Sequence, residues 1–273
     1  MFCVHFSKRA EAVSFLKSID HTQRHWYLKE YNNHFAVLGE TGSSLDWMYY
    51  QEAVEGLLMV IRERKWLGWI EGVLKHRYYY VDQEEVQRIL EIAHEFEDKP
   101  PKSLDLPDVN LNLRAAIQKY LSGDRNVDFD GLSVYCLEDL HSTVIEYTGL
   151  LIDEYKQEES FQLLLDSWRC RVHRMDTGIQ LLHLLENGSL HYYHDEGNSL
   201  SESETLLYRR QYPDDSIKDL PLRWNITPAL VHAPDELIIY SDKTNDSELE
   251  LLMSIFEEKA SWKPLSEFPF EIS

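Results

Sequence analysis

Cysteine is scarce in this chain: Cys3, Cys136 and Cys170 are an odd number, and none stands in a C-x-x-C pair. With 273 residues and 43% hydrophobic side chains the chain can bury a full core without covalent staples. The three thiols are therefore expected to stay reduced, as in a cytoplasm. Basic residues are also few. The 27 Lys and Arg face 48 Asp and Glu, and the formal charge of −21 repels nucleic-acid phosphates and anionic membranes alike. Neither is an expected partner. Long apolar runs are missing: the longest, Leu57-Leu58-Met59-Val60-Ile61, is far short of the roughly 20 residues that span a bilayer. The opening residues Met1 to Arg9 lack the basic-then-apolar order of an export signal, so a cytoplasmic location is expected. The phosphate-cradling G-x-G-x-x-G and G-x-x-x-x-G-K-[ST] patterns, H-E-x-x-H and G-x-S-x-G are absent. Their absence removes the usual support for nucleotide-dependent enzymes, zinc proteases and serine hydrolases. No cofactor is expected.

What is present is periodicity. Phe2, Val4 and Phe6 alternate with Cys3 and His5 as in a strand with one buried face. Ala12, Val13, Leu16 and Ile19 then follow helical spacing, and two aromatic-rich strands flank Asn32-Asn33, a pair suited to a hairpin turn. From Ser44 the pattern is helical. Trp47, Tyr50, Val54, Leu57, Leu58 and Ile61 form a stripe that Trp66, Ile70, Val73 and Leu74 continue. Asp82 predicts an N-cap and the proline-rich run 98–107 a loop, with a further helix over 112–121. The longest periodic stretch, about 132–172, carries Leu140, Val144, Tyr147, Leu151, Phe161, Leu165, Trp168 and Val172. Its apolar track fails over 153–160, where a break and a continuous helix fit equally well.

After Gly178 the strand period returns. Residues 179–185 and 190–195 flank Asn187-Gly188, a hairpin signal, and 228–231 and 237–241 read as a second strand pair, each pair followed by a helix (200–212 and 247–260). The fold expected is α+β: a small N-terminal β-α-β-β module over 1–42, a helical domain over 43–175 and a C-terminal ββα-ββα domain over 176–273.

Chemistry-bearing clusters are sparse. A two-residue turn at Asn187-Gly188 would pair Glu186 with Ser189 and His183 with Tyr192, putting His183 and His194 on one face. Two imidazoles with a nearby carboxylate suit a transition metal or proton transfer. Glu154 and Glu158, one helical turn apart, are the carboxylates that would complete such a site. No metal is expected, because the sequence shows no third ligand in fixed geometry. Asp139, Glu146 and Asp153 recur every seven residues in a region, 130–160, with eight acids and one base. They read as a solvated acidic face that could dock a basic protein partner. Arg62, Arg64, Lys65, Lys75 and Arg77 mix with Trp66, Trp69 and Tyr78-Tyr79-Tyr80 in the manner of a base-stacking surface, although intramolecular pairing accounts for them more simply. Cys170, between Arg169 and Arg171, has no base motif beside it.

The blocks Arg64-Lys65-Trp66-Leu67-Gly68-Trp69-Ile70, Gln87-Arg88-Ile89-Leu90-Glu91-Ile92-Ala93-His94 and Leu151-Ile152-Asp153-Glu154-Tyr155-Lys156-Gln157-Glu158, with the terminal segment 236–242, resemble the YtxC-like family of sporulation-associated proteins. The resemblance implies a cytoplasmic protein of an endospore-forming Gram-positive bacterium, and it carries no catalytic residues onto this chain. The function expected is a non-enzymatic interaction or regulatory protein. The alternative is a metal-dependent hydrolase or nuclease using the His/carboxylate cluster.

Overall fold

The computed structural model describes residues 2–19, 25–31, 34–39, 46–102, 104–122, 125–243 and 245–271. The expected Asn32-Asn33 turn and the helix start at Ser44 lie outside them. The protein is α+β, and the chain divides into two compact units, Met1–Gln157 and Glu158–Ser273, where the sequence pattern suggests three modules.

In the first unit β1 (Phe2–Phe6), β2 (Trp26–Tyr31) and β3 (His34–Gly39) surround α1 (Arg9–Ile19) in sequence. Six further helices follow: α2 (Asp46–Arg64), α3 (Trp66–His76), α4 (Gln83–Asp98), α5 (Val109–Tyr120), α6 (Phe129–Asp139) and α7 (His141–Arg174), the last reaching into the second unit. A short strand β4 (Asn126–Asp128) precedes α6. The sheet order is β2-β3-β1-β4, with β1 antiparallel to β3 and parallel to β4. Because β4 joins β1 from beyond α5, the N-terminal strands and the helices share one sheet and one core. Phe2, Val4 and Phe6 are buried with Leu57, Trp66, Ile89, Leu113 and Val144 in that core. β4 has no sequence signature: it is three residues long, with Val127 alone buried, too short for a period to register.

Local signals decide most helix ends. Asp82 accepts hydrogen bonds from the backbone N–H of Glu84 and Glu85 at 2.7 and 3.3 Å, and Asp108 and Asp128 cap α5 and α6 in the same way. Two details depart from the sequence pattern. Trp47 leaves its stripe and is 71% exposed. The long periodic stretch breaks at Leu140, between α6 and α7, and runs unbroken through 153–160.

The second unit holds β5 (Leu181–Glu186), β6 (Leu190–His194), α8 (Glu202–Gln211), α9 (Thr227–His232), β7 (Glu236–Tyr240), α10 (Ser247–Phe256) and β8 (Ala260–Lys263). Its sheet order is β6-β5-β7-β8: β5 and β6 form the antiparallel hairpin, and β5, β7 and β8 are parallel. The second expected hairpin is not formed. Residues 227–232 are helical because Pro228 sits in the first turn, where its missing N–H is harmless. Ala233 at φ 39° then ends the helix and turns the chain into β7. Parallel β5 and β7 require a crossover connection, and α8 and α9 supply it. One face of the sheet packs Leu182, Leu184, Leu237 and Ile239 against Trp168, Leu230, Leu252 and Phe256. Leu185, Ile238 and Tyr240 point to the other face, covered by Leu265 and Phe268.

Candidate functional site

The hairpin that carries the expected histidine pair has a different register. Glu186 pairs with Leu190, Leu184 with Tyr192, His183 with Tyr193 and Leu182 with His194, leaving a three-residue loop. A two-residue type I′ turn needs positive φ at both central residues, and here only Gly188 has it (79°). Tertiary contacts hold this register. The buried Glu186 carboxylate accepts from Gly188 N–H at 3.1 Å and Ser241 Oγ at 3.0 Å, and pairs with Lys243 Nζ at 2.7 Å. These donors keep its pKa low despite the burial.

The one-residue slip sends the two imidazoles to opposite faces of the sheet. His183 is buried, with Nδ1 3.0 Å from the Tyr240 hydroxyl and the Phe270 ring edge-on at 5.1 Å, and burial lowers its pKa. His194 pairs with Glu204 of α8 at 2.9 Å. They do not form a joint site, and Glu154 and Glu158 stand on α7. Of the acidic triplet, Asp139 ends α6 in an ion pair with Lys119 at 2.7 Å, whereas Glu146 and Asp153 are exposed on α7. The helix break at Leu140 separates the first from the other two.

Structure gathers other polar groups that sequence spacing does not reveal. His5 Nε2 lies 2.7 Å from Asn126 Oδ1 and 3.3 Å from Cys3 Sγ. A ring N–H donating to the amide oxygen occupies the nitrogen that a base would need to take the thiol proton, and burial raises the Cys3 pKa. This arrangement does not make a nucleophile. Arg171 of α7 is buried and donates to the carbonyl oxygens of Leu230, Val231 and Tyr212 at 2.9, 2.9 and 3.3 Å, with Asp214 at 3.7 Å. It tethers α9 and the 212–214 segment, and it lines a cavity of about 530 Å3 with Arg174, Cys170, Asp166 and Asp214. His173, Glu257 and Glu258 hold their ligand-type atoms within 4.8 Å of one another at the end of α10, all three exposed. Arg169 Nε lies 3.5 Å from Glu257, so a cation there would compete with an internal one.

The most distinctive surface lies on α3. Gly68 and Gly72, one turn apart, face open space: a Cβ built on either meets no atom within 4 Å. Glycine inside a helix is about 1 kcal/mol less favourable than alanine, and here no internal contact demands it. Beside the glycines a groove of about 390 Å3 is floored by Trp69, Val73 and Leu137 and rimmed by His76, Arg77 and His141. No carboxylate lines it. The nearby Lys75 is tied to Glu71 at 2.6 Å. Beyond Arg77 the connection to α4 holds Tyr79 at φ 59° and leaves Tyr79 and Val81 78% and 93% exposed. The rest of the basic-aromatic cluster is consumed internally: Arg62 pairs with Glu97 at 3.1 Å, Lys65 with Glu11 at 2.8 Å, and Trp66 is buried. The sequence signal for the groove was the pair of glycines four apart inside an apolar helical pattern.

Among the described residues no helix is long and apolar enough to cross a membrane. No solved structure matches the chain. A Bacillus subtilis (strain 168) protein named Uncharacterized protein YtxC is 23% identical over 216 residues, covering 72% of this chain and 71% of that protein. The model of the YtxC-like family matches residues 51–261, from within α2 to within β8, which takes in the α3 groove and most of the second unit. By that match over more than half its length, the chain belongs to the YtxC-like family.

Proposed function

We propose that the protein is a non-enzymatic interaction or regulatory protein that works in the cytoplasm during sporulation. The sporulation context rests on the family resemblance alone. The observation that carries the interaction role is the α3–α4 connection, where Tyr79 takes a left-handed backbone conformation and Tyr79 and Val81 project into solvent. A non-glycine residue at positive φ costs of order 1 kcal/mol or more. The turn itself caps α3, with Tyr80 N–H donating to Leu74 O at 3.0 Å and Tyr78 N–H to Val73 O at 3.2 Å, whereas the Tyr79 and Val81 side chains, 78% and 93% exposed, bury little, and tyrosine is a frequent anchor in protein interfaces. A photoreactive residue in place of Val81, used in sporulating cells, tests the role. Crosslinking to one defined protein supports it, and the absence of any protein adduct throughout sporulation would sink it. A basic partner on the exposed carboxylates Glu146 and Asp153 belongs to the same reading, and its binding should weaken with salt.

A metal-dependent hydrolase is the second reading, favoured by the His173, Glu257 and Glu258 cluster. One imidazole and two carboxylates suit Zn²⁺ or Mn²⁺. Equilibrium dialysis with each ion distinguishes it: stoichiometric binding lost in His173→Gln favours the hydrolase, and no specific binding removes it.

A further inference from the structure

The α3 groove specifies more than the presence of a partner. We infer that it receives an acidic amphipathic helix of another protein, seated across Gly68 and Gly72 with an apolar side chain on Trp69 and Val73 and carboxylates toward Arg77, His76 and His141. This inference rests on the interaction reading and adds to it the chemistry of the partner.

Three observations converge on that occupant. The first is shape. Two glycines on one helical face let another backbone approach closely, which is how helices pack at short range, and none of the described residues takes that place. The second is the floor, where Trp69, Val73 and Leu137 offer an apolar surface in a cavity of about 390 Å3, enough for a large side chain but not for a folded domain. The third is charge. In a chain of −21, the other described cavities include Asp166, Asp214 and Asp215, or Glu202, or Glu84 and Glu91 in their linings. The titratable groups of this one are His76, Arg77 and His141 alone. One guanidinium and two imidazoles, with no carboxylate among them, rim the apolar floor and complement a helix with one apolar and one acidic face. A second copy of this chain, placing its own α3 there, would set like rims against each other.

The test uses the full chain and two synthetic helical peptides of about five turns that share one leucine stripe, with Glu on the polar face of one and Lys on that of the other. Fluorescence anisotropy reads binding. The expected result is that the Glu peptide binds against the overall charge of the protein. Its affinity falls about tenfold in Gly72→Leu, which fills the groove, and by a similar factor in Arg77→Glu, and it weakens as salt rises. Gly72→Leu should melt no lower than the parent, because its Cβ enters open space; Arg77→Glu, at an exposed position, gives a second variant that leaves packing alone. Equal or tighter groove binding of the Lys peptide overturns the acidic partner. Indifference of the Glu peptide to both variants, or no binding at all, overturns the groove. A dimer seen by sedimentation and lost in Gly72→Leu makes the occupant a second copy and overturns the inference as well. Crosslinks from Val81 to a basic protein would preserve the interaction reading while removing this one.

Discussion

Acid should loosen the second unit through His232. This imidazole ends α9 with no exposed surface. Its Nε2 lies 3.3 Å from Thr205 Oγ1, the Tyr208 ring lies against it at 4.4 Å, and Nδ1 has no hydrogen-bond partner among the described residues. Burial, with smaller effects from the charges of His194 and Arg171, lowers its pKa from 6.5 to about 4, against an opposing pull from Glu204. Because the folded pKa lies below the unfolded one, the unfolded chain takes up the proton first. Stability is therefore intact above about pH 6.5 and is lost as the pH falls toward 4. At 1.36 kcal/mol per unit the full loss is about 3 kcal/mol, of which about 2 kcal/mol falls between pH 7 and pH 5.

The perturbation is His232→Phe, which keeps a ring against Tyr208 and removes the proton. Urea unfolding at pH 7 and pH 5 should show the parent losing about 2 kcal/mol more than the variant. Other acid-sensitive groups, such as Glu186 and Asp214 with their lowered pKa values, are common to both proteins and cancel in the difference. Equal losses in parent and variant, or an NMR titration placing His232 near an ordinary histidine, would refute the reasoning.

Three further outcomes follow from the geometry. Changing His183 and His194 together to Gln should leave metal content by mass spectrometry unchanged, because the two face opposite sides of the sheet, while thermal unfolding shows a loss of about 1–3 kcal/mol from the buried His183–Tyr240 contact. Arg171→Met should cost at least about 3 kcal/mol in denaturant unfolding, since three carbonyl oxygens lose their donor, and Arg171→Lys should restore little because an ammonium lacks the planar fork. Gly197→Ala should destabilise much more than Gly178→Ala in the same assay. Both glycines have positive φ (84° and 76°), but a Cβ at 197 meets Phe270 at 2.7 Å and one at 178 meets nothing.

Those residues also show where sequence reasoning reached and where it stopped. The alternation of Phe2, Val4 and Phe6, the Asp82 cap and the apolar helical stripes were legible because each is a local pattern of period two or 3.6 or a single side chain meeting its own backbone. Strand β8 was not: it is four residues long, too short for a period to register, and its first residue, Ala260, continues the spacing of Leu249, Leu252 and Phe256 in a helix that Glu257, at φ 51°, breaks. Residues 227–232 are apolar enough for either state, and parallel pairing of β5 with β7 decided for a helix.

The candidate sites divide along the same line. The amino-acid sequence determined the α+β class, the shortage of positive charge, the family resemblance and the presence of two glycines on one face of α3. Only the tertiary structure decided that His183 and His194 part company. A hairpin register is a choice between pairings that differ by one residue, and the donors that fix it here, Ser241 and Lys243, come from 55 and more residues away. It also decided that the glycine face stays open, since whether a helix surface is covered depends on what other elements leave beside it. Spacing specifies which side chains share a face; which faces meet is set by burial and by pairing of the remaining polar groups over the whole unit.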